Sequence, residues 1–217
     1  IANHSATHPH LRDLTAERFL ADVAAAVRAL RPLRNFRPWF RFPFLDEGDT
    51  PEKRDAVRAG LVRMGYAQGY VTIDTYDWYL DMLANEAAQR GDTLNTRALG
   101  ALYAEIIVGS ADFYDDLAVA HLGRSPRHVL LLHENDLAAM FIADLVAALR
   151  ADGWTIVSAD AAYADPIAER PPDTMLLNQG RVAALAEVAG APRRSLFSPY
   201  EEEPELDEMF NRRVLGR

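Results

Sequence analysis

Two histidines, His4 and His8, stand four residues apart in the stretch Asn3-His4-Ser5-Ala6-Thr7-His8-Pro9-His10. Side chains at that spacing share a face when the segment turns like a helix. Neutral imidazole is the commonest protein ligand for zinc-like ions, so the pair can hold one. Three later stretches carry complementary groups: Arg41-Phe42-Pro43-Phe44, Asp74-Thr75-Tyr76-Asp77-Trp78 and Leu131-Leu132-His133. A guanidinium fixes a carboxylate bidentately. An imidazole beside a carboxylate suits general acid work. A cation with an open position polarises a carbonyl and brings bound water to a pKa of about 7. Taken singly, each group has an ordinary reading: a solvated His pair, a surface ion pair, a satisfied core His.

The elements that must position these groups alternate. Thr15 is an N-cap, with Leu14 and Phe19 placed for a hydrophobic staple. Phe19, Leu20, Val23, Val27 and Leu30 form one helical stripe, which Pro32 ends. Residues 36–44 read as extended, with Pro43 breaking any ladder. Thr50-Pro51 opens a second helix whose Val57, Leu61 and Met64 face inward, and Gly65 closes it. Tyr70-Val71-Thr72-Ile73 is a predicted strand ending near Asp74. Residues 79–122 read as helical and break the alternation, so they are expected to form an inserted subdomain, either a structural lid or a wall of a groove. His128–Leu132 is a predicted buried strand, followed by a helix capped at Asn135 or Asp136 and a further strand at Trp154–Val157. Such alternation implies parallel β/α units with right-handed crossovers. In those folds reactive side chains collect at the carboxyl ends of strands, where His4, Arg41, Asp74, Asp77 and His133 all fall. A short helix is expected over 180–188, and residues 161–217 are expected to pack as a tail with a frayed end.

The chain of 217 residues has 32 acidic and 23 basic side chains, for a net charge of −9. That balance argues against nucleic acid as a partner, which needs basic surface. No stretch approaches the ~20 apolar residues of a membrane span. With no cysteine, disulfides, thiolate nucleophiles and Cys-type zinc sites are excluded.

In this order the motifs resemble those of the polysaccharide deacetylase family, also called the NodB-homology or carbohydrate esterase 4 family, over roughly residues 1–160. The resemblance implies a distorted (β/α) barrel of the NodB type, N-terminally incomplete, with the helical insertion at about 79–122. It implies that His4 and His8, with Ser5 between them, supply two of three ligands to one divalent metal, zinc first and cobalt or nickel next. It implies that Arg41 holds a catalytic aspartate and that the Phe44 N–H serves an oxyanion hole. Asp77 would bond a histidine, with Asp74 a second candidate. Trp78 would line the groove, Leu131 the acetyl pocket, and His133 would protonate the leaving amine. His10 falls outside the motif and reads as a surface residue. Leu45 stands where the family pattern has glycine.

The family's Asp-Asp pair, one base and one metal ligand, is not found. Asp46 or Glu47 are minor candidates to replace it. The favoured expectation is that Ile1 begins in mid-domain and the pair precedes it; without it, little hydrolysis is expected. The implied activity is removal of N-acetyl groups from an N-acetylated polysaccharide such as peptidoglycan, a chitin-like chain or an exopolysaccharide, in the periplasm or secreted. The alternatives are a non-catalytic carbohydrate-binding relative, a small-amide deacetylase or deformylase, and an interaction module built on 79–122. Oligomeric state is not legible.

Overall fold

The structure, a computed structural model, describes residues 1–217. It is 58% helical. Eight α-helices run α1 Ala16–Leu30, α2 Pro51–Arg63, α3 Asp77–Gln89, α4 Thr96–Leu122, α5 Asp136–Ala151, α6 Ala159–Tyr163, α7 Arg181–Val188 and α8 Glu203–Phe210. Two strands of two residues each, β1 Trp39–Phe40 and β2 Ala67–Gln68, pair in parallel in an open sheet. No β/α barrel forms, which corrects the expected fold.

The reason lies in where backbone hydrogen bonds go. Asn3 bridges Phe40 in parallel, and Ile73 bridges Leu130, but neither bridge extends into a ladder. Side-chain hydroxyls take the ladder positions instead. Thr72 Oγ1 accepts the Val129 N–H at 2.7 Å, and Thr75 Oγ1 donates to the Leu131 carbonyl at 2.8 Å. The expected strand at Trp154–Val157 finds no neighbour; Ile156 and Val157 are about half exposed, at 49% and 47%. An apolar β-branched run without a partner strand cannot satisfy its backbone as a sheet. Met64, expected to face inward, is exposed.

The insertion is also reassigned. Residues 79–122 are not a lid over a barrel, because α4 is the centre of the larger hydrophobic core. Its Leu102, Tyr103, Ile106, Ile107 and Tyr114 are fully buried among side chains of α3, α5, α7 and α8. A smaller core joins Phe19 and Val23 of α1 to Val57 and Leu61 of α2, with Phe40, Phe42 and Tyr66 between. Caps fall where the sequence places them: Thr15 Oγ1 accepts from Arg18, Thr50 Oγ1 from Lys53, and Asn135 Oδ1 from Ala138. The tail packs through α7 and α8, whose Val182, Leu206 and Phe210 are buried. No helix is long and apolar enough to cross a membrane.

Candidate active site

The first parallel bridge delivers the His turn. Asn3 is fully buried. Its Nδ2 donates to the Val23 carbonyl at 3.0 Å and to the Tyr66 hydroxyl at 2.9 Å, and its Oδ1 accepts the Ser5 N–H at 2.9 Å. Asp22, on α1, accepts from the Ala6 and Thr7 amides and the Thr7 hydroxyl. Ser5 Oγ accepts the His8 N–H at 3.0 Å. Ser5 and His8 take left-handed backbone, with φ of 72° and 54°. Such conformations persist in non-glycine residues only where the surroundings enforce them. The Asn3 and Asp22 contacts enforce them here.

The result is two facing imidazoles. His4 Nε2 and His8 Nε2 stand 3.2 Å apart. His4 Nδ1 lies 2.8 Å from the Arg41 carbonyl. A carbonyl only accepts, so Nδ1 carries the proton and neutral His4 presents the Nε2 lone pair to the cleft. Metal-binding histidines are commonly fixed in this way. Two nitrogens each about 2.0–2.1 Å from a tetrahedral ion stand about 3.3 Å apart, so the pair fits two corners of a zinc-type site. Desolvation lowers the His4 pKa; the Arg41 carbonyl opposes this, and His8, Arg41 and His133 add to it. His4 is thus ready to ligate at pH values where free imidazole is half protonated. No group of three or more His, Asp or Glu side chains is arranged to hold an ion. The His4–His8 pair supplies two of the three protein ligands usual for a catalytic site. Substituting either His4 or His8 by Ala is expected to abolish stoichiometric zinc uptake, read by titration calorimetry and metal analysis after dialysis. Uptake that survives both changes would place the ion elsewhere.

Arg41 leaves β1 toward the same cleft. Its Nε donates to the Gly69 carbonyl at 3.0 Å and its Nη2 to the Tyr163 hydroxyl at 3.2 Å. Both bonds go to neutral oxygens, and Arg41 pairs with no carboxylate. Asp46 and Glu47 do not replace that aspartate. Asp46 is fully buried, with Arg12 Nε at 2.9 Å, His10 Nδ1 at 3.2 Å and the Gly48 N–H at 2.8 Å. Burial alone would raise its pKa, but the Arg12 guanidinium and the Gly48 and Arg12 amides hold it below the usual carboxylate range. Glu47 is taken by Arg58 and Gln68, each at 2.6 Å. Phe44 and Leu45 are both left-handed, with φ of 56° and 51°, so Leu45 occupies a conformation natural to the glycine of the family pattern. No acceptor within the chain takes the Phe44 N–H, which leaves it free for a ligand oxygen.

His133 sits just past the Ile73–Leu130 bridge, at the exit of the expected strand. Its Nδ1 is 2.7 Å from Asp77 Oδ1, and its backbone N–H donates to Asp77 Oδ2 at 2.8 Å. Asp77 is fully buried as the first residue of α3, where the positive end of the helix dipole favours a carboxylate. The two contacts to His133 fix which carboxylate is its partner: Asp77, not Asp74. Asp74 is buried, and its Oδ1 accepts the Thr75 N–H at 2.8 Å. Burial first and then nearby Glu201 push its pKa well above the carboxylate range; the Thr75 amide opposes and Asp77 adds. A carboxyl whose folded pKa exceeds its unfolded value of about 3.9 holds a proton that the unfolded chain has released. Its contribution is complete below that value and is lost as pH rises through the folded pKa. Asp74→Asn is therefore expected to gain melting temperature relative to the parent as pH rises from 4 to 8. A difference that stays flat with pH would show that Asp74 is ionised in the fold.

These groups meet in one cleft of about 420 Å³, lined by His4, His8, Arg41, Phe44, Trp78, Leu131 and His133, with Asp74 at its edge and Asp77 hidden behind His133. His10, expected on the surface, also lines it; its ring stacks on Phe44 at a centroid distance of 3.7 Å. Phe42, Leu45, Tyr76 and Asn178 complete the wall. The sequence reading gave no role to Tyr76, Asn178 or the supports Asn3 and Asp22, none of which carries a spacing signal of its own. Comparison of the chain with protein-family models, curated proteins and solved structures found no match.

Proposed function

We propose that this cleft removes N-acetyl groups from an N-acetylated polysaccharide, in the manner of the polysaccharide deacetylases that the motifs resemble. The observation that carries the reading is the meeting of the His4–His8 nitrogens, the free Phe44 N–H and the Asp77-held His133 on one cleft. His4 and His8 would hold a divalent ion, zinc first. When bound, that ion supplies Lewis acidity toward the acetamide. The chain's own residues do the rest. Asp77 accepts the Nδ1 proton, so His133 Nε2 faces the cleft as the atom that delivers a proton to the departing nitrogen. The Phe44 N–H donates to oxygen where negative charge develops. Trp78, 40% exposed, and Phe44 give flat apolar walls for sugar rings, while Leu131 bounds the acetyl methyl.

Asp74 is the one carboxyl on the cleft, and burial favours its protonated form, so hydrolysis on this reading calls for a further base. That gap favours a second reading, carbohydrate binding without turnover. Acetate release from N-acetylglucosamine oligomers, with zinc added to the natural protein, separates the two. Release that His133→Ala abolishes supports hydrolysis. Oligomer binding without release supports the second reading, and neither binding nor release overturns both.

A further inference from the structure

Behind Arg41, between the cleft and the start of α7, lies a second cavity of about 40 Å³. That volume holds about three water-sized groups. Arg41, Arg58, Arg181, Glu47, Gln68 and Tyr70 are among its walls. Three guanidiniums thus face one carboxylate, and Glu47 is already committed to Arg58 and Gln68. Arg41 and Arg181 have no carboxylate partner.

Arg181 is the unusual group. It is 4% exposed. Its Nη1 donates to the carbonyls of Ile167 and Ala168, both at 2.9 Å, and its Nη2 to Gln68 Oε1. The guanidinium lies 3.9 Å over the Tyr70 ring. Arg181 Nε and the Tyr70 hydroxyl are buried with no partner. Burial lowers the Arg181 pKa to about 10, which leaves it charged at neutral pH. Buried charges are paired as a rule, and buried donors hydrogen-bonded. Arg181 breaks both rules beside an unfilled space. Gly180, the cap of α7, offers no side-chain acceptor, so the positive end of that helix adds to the same field.

We propose that this cavity is a binding site for a small monovalent carboxylate of acetate size or less, held between Arg181 and Arg41. A carboxylate supplies two acceptor oxygens for planar N–H donors. Arg41 borders both spaces, so an anion here holds its guanidinium in place at the cleft wall. The proposal stands apart from the hydrolytic reading, because it concerns ligation and not turnover.

The test uses the intact chain at constant ionic strength, with sodium formate and sodium acetate titrated against sodium gluconate, which is too large to enter. The Arg181 Nε–H resonance is expected to shift saturably with formate and acetate and not with gluconate. Melting temperature is expected to rise by about 3–6 °C at a tenfold excess over Kd. Arg181→Gln is expected to lose that rise. An Nε–H signal that does not move, or moves equally with gluconate, would show that the cavity holds water only. A saturable rise retained by folded Arg181→Gln would also overturn the proposal. If that variant does not fold, the resonance of the parent decides.

Discussion

On the proposed hydrolytic reading, Asp77→Asn is expected to lower acetate release by about 10²–10⁴-fold, the usual worth of a positioned proton-transfer group. The amide can keep its oxygen on the His133 backbone N–H, which donates to Asp77 Oδ2 at 2.8 Å. Its NH₂ must then face His133 Nδ1, now 2.7 Å from a carboxylate oxygen. A donor there forces the proton onto Nε2 in the neutral ring and disfavours the imidazolium that must protonate the leaving nitrogen. The loss should therefore fall on kcat, with little change in KM, because Asp77 is hidden from the cleft. Stability should also drop by about 1–3 kcal/mol, since a buried charge-assisted contact is removed. Nitrogen chemical shifts of His133 provide a check free of any assay. An unchanged tautomer with full turnover would show that Asp77 only props the start of α3.

The second large effect is expected at a residue that does no chemistry. Asn3→Ala removes three hydrogen bonds at a fully buried position. The Val23 carbonyl, the Tyr66 hydroxyl and the Ser5 amide are left without those partners. At the cost of unmade buried bonds, the variant should lose about 2–4 kcal/mol, read by urea titration. Zinc affinity should fall about tenfold to a hundredfold, the usual range for groups that orient ligands. Asp22→Asn, on the exposed side of the same turn, should cost much less in stability. Equal affinity in Asn3→Ala and the parent would show that the His pair is held by Asp22 alone.

The helices were legible because their signals are local. Thr15, Thr50 and Asn135 cap them, and the apolar stripes of α1 and α5 face the cores. The sheet was not. Tyr70–Ile73 and His128–Leu132 have strand-like composition, yet the Thr72 and Thr75 hydroxyls divert their backbone groups. Trp154–Val157 lacks a neighbour to pair with. Strand formation depends on a second strand that composition cannot supply. The role of α4 was misjudged for a related reason. Its apolar residues signal burial but not against what, and here α5, α7 and α8 make it the centre. The motif order singled out His4, His8, Arg41, Phe44, Trp78, Leu131 and His133, which the structure brings to one cleft. The choice between Asp77 and Asp74, the stacking of His10 and the neutral partners of the Arg41 guanidinium depend on distances between remote segments, which no spacing encodes.

Five residues bordering or shaping the cleft, Ser5, His8, Phe44, Leu45 and Asn178, share left-handed backbone without being glycine. This limits how the cleft can be re-engineered. In a saturation library over these positions, survivors should be rich in Gly, Asn and Asp, and Val, Ile and Thr should be purged even where space permits them. Changes of ligand preference would have to come from neighbours with ordinary backbone, such as Trp78 and Leu131.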